Sequence, residues 1–270
     1  MFNKEFEKEN EEIQVNMSFI QKKILVMSGK GGVGKSTISA NLAGFLSLEG
    51  YHVGLLDIDL HGPSIPKFFG ISDKKVEVDG QHILPISYCE SLKIVSLGNM
   101  IENEGTSIIW RGPQKSGTIR KLLKDVKWGH LDYLVIDSPP GTGDEQLSVI
   151  QGINELTGAL IVTTPQDIAL IDVRKSINFC RKLNLPILGI VENMSGLTCP
   201  HCHGAINLFK VGGGEQLARN EGIPFLGRIS IDPQTAIQSD EGNLIINLPN
   251  NSINKEEMRN VFTNLLGGLK

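Results

Sequence analysis

The chain contains 270 residues, of which 40% are hydrophobic and 21% are charged, and its formal net charge is −4. Such a length can bury a full hydrophobic core, and the composition excludes a disordered chain. No apolar run approaches the roughly 18 residues of a membrane span, and the polar N-terminal segment contains no signal-peptide core. Because four cysteines are too few for a disulfide scaffold, we expect reduced thiols and a cytoplasmic location, with neither a membrane nor a nucleic acid as partner.

The N-terminal segment differs in composition from the rest of the chain. Residues 1–20 are charged and poor in apolar side chains, which predicts an acidic tail, or a short helix, outside the core. From residue 21 to residue 270 we predict a single domain in which strands and helices alternate. Short apolar runs predict strands at 24–27, 53–56, 94–97, 134–136, 159–162, 187–191 and 224–226. Helical patterns cover 35–48, 114–124, 144–151, 167–183, 213–220 and 254–266, and a hairpin is predicted within 76–84.

A glycine-rich loop joins the first predicted strand to the first predicted helix. It follows the pattern G-x-x-x-x-G-K-[ST], which cradles nucleotide phosphates between backbone N–H groups and a helix N-terminus. Lys35 is expected on the β- and γ-phosphates, and the Ser36 hydroxyl on Mg²⁺. The predicted ATP-binding residues of the loop are Gly29, Lys30, Gly31, Gly32, Val33, Gly34, Lys35, Ser36 and Thr37. With the strand pattern, this loop predicts the three-layer α/β/α fold of P-loop NTPases, a mostly parallel central sheet with helices on both faces.

Three carboxylates follow predicted strands. Asp57 and Asp59 end one apolar run and are expected on the same side of an extended chain, and Asp137 ends another. Because sites in open parallel sheets form at the carboxyl ends of strands, these side chains are expected near the phosphate loop. Asp137 matches the Walker-B position, which predicts a place in the Mg²⁺ shell. The Pro- and Gly-rich segment 138–144 is typical of a loop that responds to a γ-phosphate.

A C-x-x-C pair, Cys199 and Cys202, lies in a loop near residues 195–205. Two sulfurs at this spacing suit one metal ion or cluster, and they also suit a redox pair. The redox interpretation is the weaker one, because the pair lies late in the domain and Pro200 and Gly204 disfavour the long helix that a thioredoxin-type site starts.

A zinc ion or a [4Fe–4S] cluster needs about four ligands, and the pair supplies two. His201 and His203 could complete a zinc site within one chain, although ligands so close in sequence are geometrically awkward. Alternatively, two chains of a symmetric dimer would supply two cysteines each. The other cysteines, Cys89 and Cys180, are expected to be ordinary packing or surface residues.

The second lysine of the loop, Lys30, gives it the form G-K-G-G-x-G-K-[ST]. This form resembles that of the MinD/ParA-like class of dimerising P-loop ATPases. The resemblance implies that Lys30 reaches across a dimer to the partner's nucleotide. It also implies that the second carboxylate of the D-x-D pair, Asp59, positions or activates the attacking water. Lys30, Lys35 and Asp59 are therefore the expected catalytic residues.

Across residues 22–250 the chain is similar to the Mrp/ApbC family of ATP-dependent iron–sulfur carriers. The similarity rests on residues 29–37, 57–66, 110–113, 128–144, 162–167, 189–195 and 199–202. It implies a homodimer with ATP at the interface, a labile [4Fe–4S] cluster bridged by Cys199 and Cys202 of both chains, and transfer of that cluster to apo-proteins. It also implies that Asn193 reads the adenine base. We expect ATP hydrolysis to be slow and coupled to cluster transfer.

Two other functions remain open from the sequence. A MinD/ParA-like positioning switch would use the same nucleotide site, but it would leave the cysteine pair unexplained, and residues 254–270 are not strongly basic. A nucleotide-binding adaptor bridged by Zn²⁺ would use the same cysteines without iron or sulfide. The identity of the metal separates this adaptor from a cluster carrier.

Overall fold

The computed structural model describes residues 2–60, 62–100, 112–199, 202, 204–206, 208–249 and 252–269. Its strands are β1 Ile20–Ser28, β2 Val53–Asp57, β3 Glu77–Asp79, β4 His82–Leu84, β5 Ile86–Cys89, β6 Leu92–Ser96, β7 Leu131–Asp137, β8 Gly158–Thr163, β9 Ile187–Glu192, β10 Leu197–Thr198, β11 Ala205–Ile206 and β12 Phe225–Arg228. Its α-helices are α1 Phe2–Ser18, α2 Lys35–Leu48, α3 Ile65–Phe68, α4 Gly112–Asp125, α5 Asp144–Gly152, α6 Asp167–Lys182, α7 Gly213–Glu221, α8 Pro233–Asp240 and α9 Ile253–Gly268. Short 3-10 turns cover Leu97–Asn99 and Ile245–Asn247.

Eight strands form the central sheet in the order β12-β9-β8-β1-β7-β2-β6-β5. All neighbours are parallel except β5, which pairs antiparallel with β6 at one edge. Along β1, Ile24 and Val26 enter one hydrophobic core, whereas Leu25 and Met27 enter the core on the opposite face. This alternation is what a strand buried on both faces requires. The predicted mostly parallel sheet with helices on both faces is confirmed.

Both edge strands are irregular. The pairing of β5 with β6 shifts register between Ser87 and Cys89, and the pairing of β12 with β9 shifts between Phe225 and Gly227. The predicted hairpin is present as β3 and β4, joined through Gly80, whose φ of 63° is in the left-handed region. It forms a separate two-stranded sheet. Neither β5 nor α8 was among the elements expected from the sequence.

The expectation that residues 1–20 lie outside the core is wrong for the second half of the segment. Ile13 and Met17 on α1 are buried, at 0% and 1% exposure, in the core that also holds Trp128. The Asn16 side-chain amide donates to the carbonyl oxygens of Leu123 and Val126 at 2.8 and 2.9 Å. The spacing of four residues between Ile13 and Met17 places both on one face of the helix, and the surrounding charges hide that face in an average over the segment. Within the described residues, no helix combines the length and the apolar character needed to cross a membrane.

Candidate functional site

The carboxyl ends of β1, β2 and β7 bring the phosphate loop and two aspartates together. Asp57 and Asp137 end neighbouring parallel strands and are paired in register. The loop leaves β1 beside them and enters α2 at Lys35. The unpaired N–H groups and the dipole at the start of α2 favour an anion at this place. The sheet therefore supplies the strand–loop–helix geometry that the sequence pattern needs.

Lys35, Ser36 and Asp137 contact one another directly. The buried Lys35 ammonium donates to Asp137 Oδ1 at 2.7 Å, and the Ser36 hydroxyl donates to Asp137 Oδ2 at 2.6 Å. A third donor, the Ser39 hydroxyl, reaches Asp137 Oδ1 at 2.6 Å. Ser39 was not singled out from the sequence, although its position one helical turn after Lys35 places it on the same face of α2. In this arrangement the Asp137 carboxylate is paired with a charge and satisfied by hydroxyls.

Asp57 is fully buried next to Asp137. Burial raises the pKa of Asp57 to about 8, and the nearby negative charge of Asp137 adds to the shift. The Asp59 N–H donates to Asp57 Oδ1 at 3.0 Å, and the Ser96 hydroxyl donates to Oδ2 at 2.8 Å. These hydrogen bonds lower the pKa but do not outweigh burial. Burial and the neighbouring Asp137 charge therefore favour the protonated form of Asp57.

Asp59 lies two residues beyond the end of β2. The strand ends at Asp57, and the chain then folds so that the Asp59 N–H points back to the Asp57 carboxylate. The Asp59 side chain is half-buried, and its Oδ1 accepts a hydrogen bond from the Gly62 N–H at 3.3 Å. The extended chain expected from the sequence thus ends two residues earlier, while Asp59 stays beside the buried pair. Its role toward water remains a prediction.

The glycines of the phosphate loop are needed for its shape. Gly32 and Gly34 have φ values of 78° and 86°, which side chains disfavour. A Cβ at Gly29 would lie 2.4 Å from the backbone of Asp172 on α6, so this residue permits a close approach. Lys30 is exposed, whereas Lys35 is buried. The two lysines of the loop therefore point to different surroundings, one to solvent and one to the carboxylates.

Asn193, directly after β9, touches the same loop. Its side-chain amide donates to the Val33 carbonyl oxygen at 2.9 Å, and a Cβ at Gly34 would lie 2.1 Å from Asn193 Nδ2. Its backbone N–H donates to the Thr163 carbonyl at 2.7 Å. The structure thus places the predicted base-reading residue at the edge of the phosphate loop. Recognition of adenine by Asn193 remains a prediction.

The cysteine pair is carried by the short hairpin of β10 and β11. Cys199 is half-buried and its N–H donates to the Gly204 carbonyl at 2.9 Å, whereas Cys202 is exposed. Pro200, His201 and His203 lie outside the described residues, so the zinc site within one chain is not tested. In the ranges that the structure describes, no three His, Cys, Asp or Glu side chains are grouped to hold a metal ion.

Sequence reasoning gave no role to Glu192, the last residue of β9. Its carboxylate is fully buried and accepts hydrogen bonds from the Ser195 hydroxyl and from the N–H groups of Gly212 and Gly214. The sequence did offer one signal, since Glu192 ends an apolar strand immediately before Asn193. A carboxylate buried in a strand needs hydrogen-bond donors around it.

Comparison with known proteins also indicates a nucleotide-binding protein that handles iron–sulfur clusters. Residues 19–266 match the model of the NUBPL iron-transfer P-loop NTPase family (ParA). The iron-sulfur cluster carrier protein of Methanocaldococcus jannaschii is 50% identical over 230 residues, which span 85% of this chain and 79% of that protein. A cytosolic Fe-S cluster assembly factor of Candida glabrata is 50% identical over 225 residues, which span 81% of this chain and 79% of the relative.

Solved structures share the architecture. The nucleotide-binding protein of Archaeoglobus fulgidus, in complex with ADP and with cobalt, is 39% identical, with a TM-score of 0.77 over 89% of this chain and 94% of that one. The septum site-determining protein MinD of Pyrococcus horikoshii, complexed with Mg-ADP, is 21% identical, with a TM-score of 0.67 over 92% and 98% of the two chains. The second likeness shows a common fold alone.

Proposed function

This chain belongs to the family of NUBPL iron-transfer P-loop NTPases, and we propose that it is an ATP-binding and ATP-hydrolysing carrier of iron–sulfur clusters. In this proposal two subunits hold a labile [4Fe–4S] cluster between them and transfer it to apo-proteins in the cytoplasm. The observation that carries the proposal is the combination, in one domain, of the phosphate site at Lys35 and Asp137 with a surface hairpin bearing Cys199 and Cys202.

The side chains around Asp137 fit a nucleotide with Mg²⁺. Hydroxyl and carboxylate oxygens are the ligands that Mg²⁺ prefers, and Ser36 and Asp137 supply one of each. Lys35 would exchange its ion pair with Asp137 for contacts to phosphate oxygens, which leaves the Asp137 carboxylate for the metal. Bound there, Mg²⁺ would neutralise the charge that develops on the phosphates. Asn193 would read the base from the other side of the loop.

Hydrolysis would depend on two further residues. Asp59, beside the buried Asp57, would orient the attacking water. Lys30 is exposed in a single chain and would act on the nucleotide of a second subunit. We therefore assign catalysis to the homodimer, with Lys35 from each subunit's own loop and Lys30 from its partner.

The cluster is the cargo in this proposal. One chain offers two neighbouring thiols, and a [4Fe–4S] cluster takes about four. Two copies related by a two-fold axis would bring the two hairpins together and complete the ligand set. A cluster held at a subunit boundary by partly exposed thiols is accessible to an acceptor protein, as transfer requires.

The first test is anaerobic iron–sulfur reconstitution of the wild type and of the Cys199→Ala, Cys202→Ala variant. Iron, sulfide and zinc would be measured per chain, alongside size-exclusion chromatography. We expect about two irons and two sulfides per chain in a wild-type dimer, and none in the variant. The Cys89→Ser variant is the matched control, since Cys89 is also exposed but lies on β5, far from the C-x-x-C pair in the sequence. This substitution should leave the iron content unchanged.

The alternatives make different predictions in the same experiment. Zinc at about half a mole per chain without sulfide would contradict the carrier and leave a zinc-bridged adaptor. A protein with ATPase activity but neither metal would favour a MinD/ParA-like positioning switch. Transfer itself is checked by activation of an apo-enzyme that needs a [4Fe–4S] cluster, with and without Mg-ATP.

A further inference from the structure

Glu192 is a buried carboxylate that the nucleotide site described above does not use. Both of its oxygens are engaged. Oε1 accepts the Gly212 N–H at 2.8 Å and the Ser195 hydroxyl, and Oε2 accepts the Gly214 N–H. The Arg228 guanidinium Nε lies 3.7 Å from Oε1. Since an isolated buried charge is costly, three donors and a nearby cation show an environment built around this carboxylate.

The chain around Gly212–Gly214 is shaped by the same group. Gly212 has a φ of 87°, and a Cβ at Gly214 would lie 3.0 Å from Glu192 Oε2. Helix α7 begins at this point, so the Glu192 carboxylate also lies at a helix N-terminus, where a negative charge is favoured. The carboxylate therefore fixes the start of α7 to the end of β9.

On one side, Glu192 leads to the cysteine hairpin. Its backbone carbonyl accepts the Ile229 N–H at 2.9 Å, and the Ser195 N–H donates to the Ile229 carbonyl at 2.9 Å. The next bond runs from the Ile231 N–H to the Gly196 carbonyl at 2.7 Å. The hairpin strand β10 then starts at Leu197, two residues before Cys199. The Ser195 hydroxyl thus anchors the segment immediately before the thiols.

On the other side, Glu192 leads to the phosphate loop. The next residue, Asn193, donates to the Val33 carbonyl. Met194 then adopts a φ of 56°, which is rare for a side chain of its kind, and its Cε lies 3.9 Å from where a Cβ of Gly34 would be. This bend sends Asn193 toward the nucleotide loop and Ser195 toward the Glu192 carboxylate. Four consecutive residues thereby span the distance between the two sites.

We propose that Glu192 is the positioning residue through which the phosphate loop and the Cys199–Cys202 hairpin are coupled, so that nucleotide binding changes the accessibility of the two thiols. The coupling rests on the proposed function in one respect, because it assumes that a nucleotide binds at the phosphate loop. In this role Glu192 touches neither the nucleotide nor the cluster. It holds Ser195 and the start of α7 against β9. When Asn193 shifts with the phosphate loop, the hydrogen bond between Glu192 and Ser195 transmits that shift to the cysteine hairpin.

The decisive variant is Glu192→Gln, which keeps the size of the side chain but replaces an acceptor oxygen with a donating amide. At least one donor among Gly212, Gly214 and Ser195 then faces another donor. Ser195→Ala is the milder variant, because it removes one of the three hydrogen bonds. Glu215→Gln is the matched control, since Glu215 is a half-buried residue of α7 that pairs with the same Arg228.

The readout is the rate at which Cys199 and Cys202 of the apo-protein are alkylated, with and without Mg-ADP, in a Cys89→Ser background. Cys89 must be removed because it is exposed and its pKa is lowered, so that it would also be alkylated. Its partial burial raises the pKa, but hydrogen bonds with Ser47 and Ser91 outweigh that effect. Cys180 can stay, because burial raises its pKa to about 11. Binding of Mg-ADP is measured separately by calorimetry.

In the wild type we expect Mg-ADP to change the alkylation rate by about five-fold or more. Glu192→Gln should bring this ratio close to one while the Kd for Mg-ADP changes by less than about three-fold. Ser195→Ala should give an intermediate ratio, and Glu215→Gln the wild-type ratio. If Glu192→Gln does not fold, the Ser195→Ala ratio decides.

Two results would overturn the coupling. One is a wild-type alkylation rate that does not change when Mg-ADP is added. The other is a ratio of rates, with and without Mg-ADP, that is the same in Glu192→Gln as in the wild type. If Glu192→Gln does not fold, the same result for Ser195→Ala overturns the coupling. Reconstitution of the wild type separates this inference from the proposed function. A chain that binds no cluster but shows nucleotide-dependent alkylation that is lost in Glu192→Gln contradicts the carrier and supports the coupling.

Discussion

The phosphate site and the cysteine hairpin are built from different parts of the molecule. Lys35, Asp57 and Asp137 lie at the ends of central strands or at the start of the helix that follows β1, and all three are buried. Cys199 and Cys202 lie on a hairpin with strands of two residues, one thiol half-buried and the other exposed. The first site is part of the core, and the second projects from it.

Because of this difference, substitutions at the two sites should affect the stability of the domain unequally. Charged groups in the core depend on each other, so that loss of one leaves another buried without its partner. Thiols on a surface hairpin contribute little to the free energy of folding. In the proposed dimer they would stay available to share a cluster with the thiols of the other subunit. We therefore expect substitutions at the two sites to differ strongly in the free energy of unfolding, even where both abolish function.

Lys35→Met should have the largest effect. It removes the ammonium that pairs with the buried Asp137, and breaking a buried pair costs about 3–5 kcal/mol. Urea unfolding measures this loss, and calorimetry with Mg-ADP should show no binding. Lys67→Met is the control, because Lys67 forms an exposed ion pair with Asp240 and should cost less than about 1 kcal/mol. Equal losses for the two variants would contradict a core-built phosphate site.

The proton on Asp57 predicts how stability depends on pH. The unfolded chain releases this proton near the ordinary pKa of 3.8, whereas the folded chain keeps it up to about 8. Between these values unfolding releases a proton, so the ligand-free protein should lose stability as the pH rises. We expect a loss of about 2 kcal/mol between about pH 6 and 8. Asp57→Asn should remove most of this slope in urea unfolding, and an unchanged slope would contradict the assignment.

The phosphate site could be predicted more fully than its surroundings. A short loop pattern fixes Lys35 and Ser36, and the rule that sites form at strand ends places Asp137 beside them. Ser39 and Glu192 were missed because their importance comes from tertiary contacts: the spacing of Ser39 from Lys35 gives its face of α2 but not its hydrogen bond to Asp137. Buried carboxylates of this kind look like ordinary polar positions in the sequence.

The fold shows the same limit at its periphery. Continuous apolar runs gave the buried parallel strands, because both faces of those strands are covered. Helix α1 was misjudged because two apolar side chains on one face, Ile13 and Met17, are diluted by charges on the others. The edge strand β5 was missed because its outer residues are exposed and its pattern is irregular. Elements that bury one narrow face are the hardest to predict from a single sequence.

The Cys199→Ala, Cys202→Ala variant sharpens the comparison from the other side. We expect its free energy of unfolding to stay within about 0.5 kcal/mol of the apo wild type, because neither thiol belongs to a described hydrophobic core. Urea unfolding of the metal-free proteins measures this. A loss of several kcal/mol in that measurement would show that the hairpin is a structural part of the domain.

Lys30→Ala should have the smallest effect on stability. Lys30 is exposed, so its removal should change the free energy of unfolding by less than about 0.5 kcal/mol. Steady-state ATP hydrolysis should nevertheless fall by about ten-fold or more, while the Kd for Mg-ADP stays within about three-fold of the wild type. Unchanged hydrolysis at all protein concentrations would exclude a role for Lys30 across a dimer.

The irregular edges of the sheet have a consequence for self-association. A β-strand arriving from another molecule needs a regular row of backbone donors and acceptors, and both edge strands, β5 and β12, break that regularity with a register shift. Growth of the sheet from one copy into the next is thereby disfavoured, which protects a chain with long buried apolar strands from aggregating edge to edge. In the proposed dimer, two copies would therefore meet away from these edges, through the surfaces that carry the nucleotide loop and the cysteine hairpin.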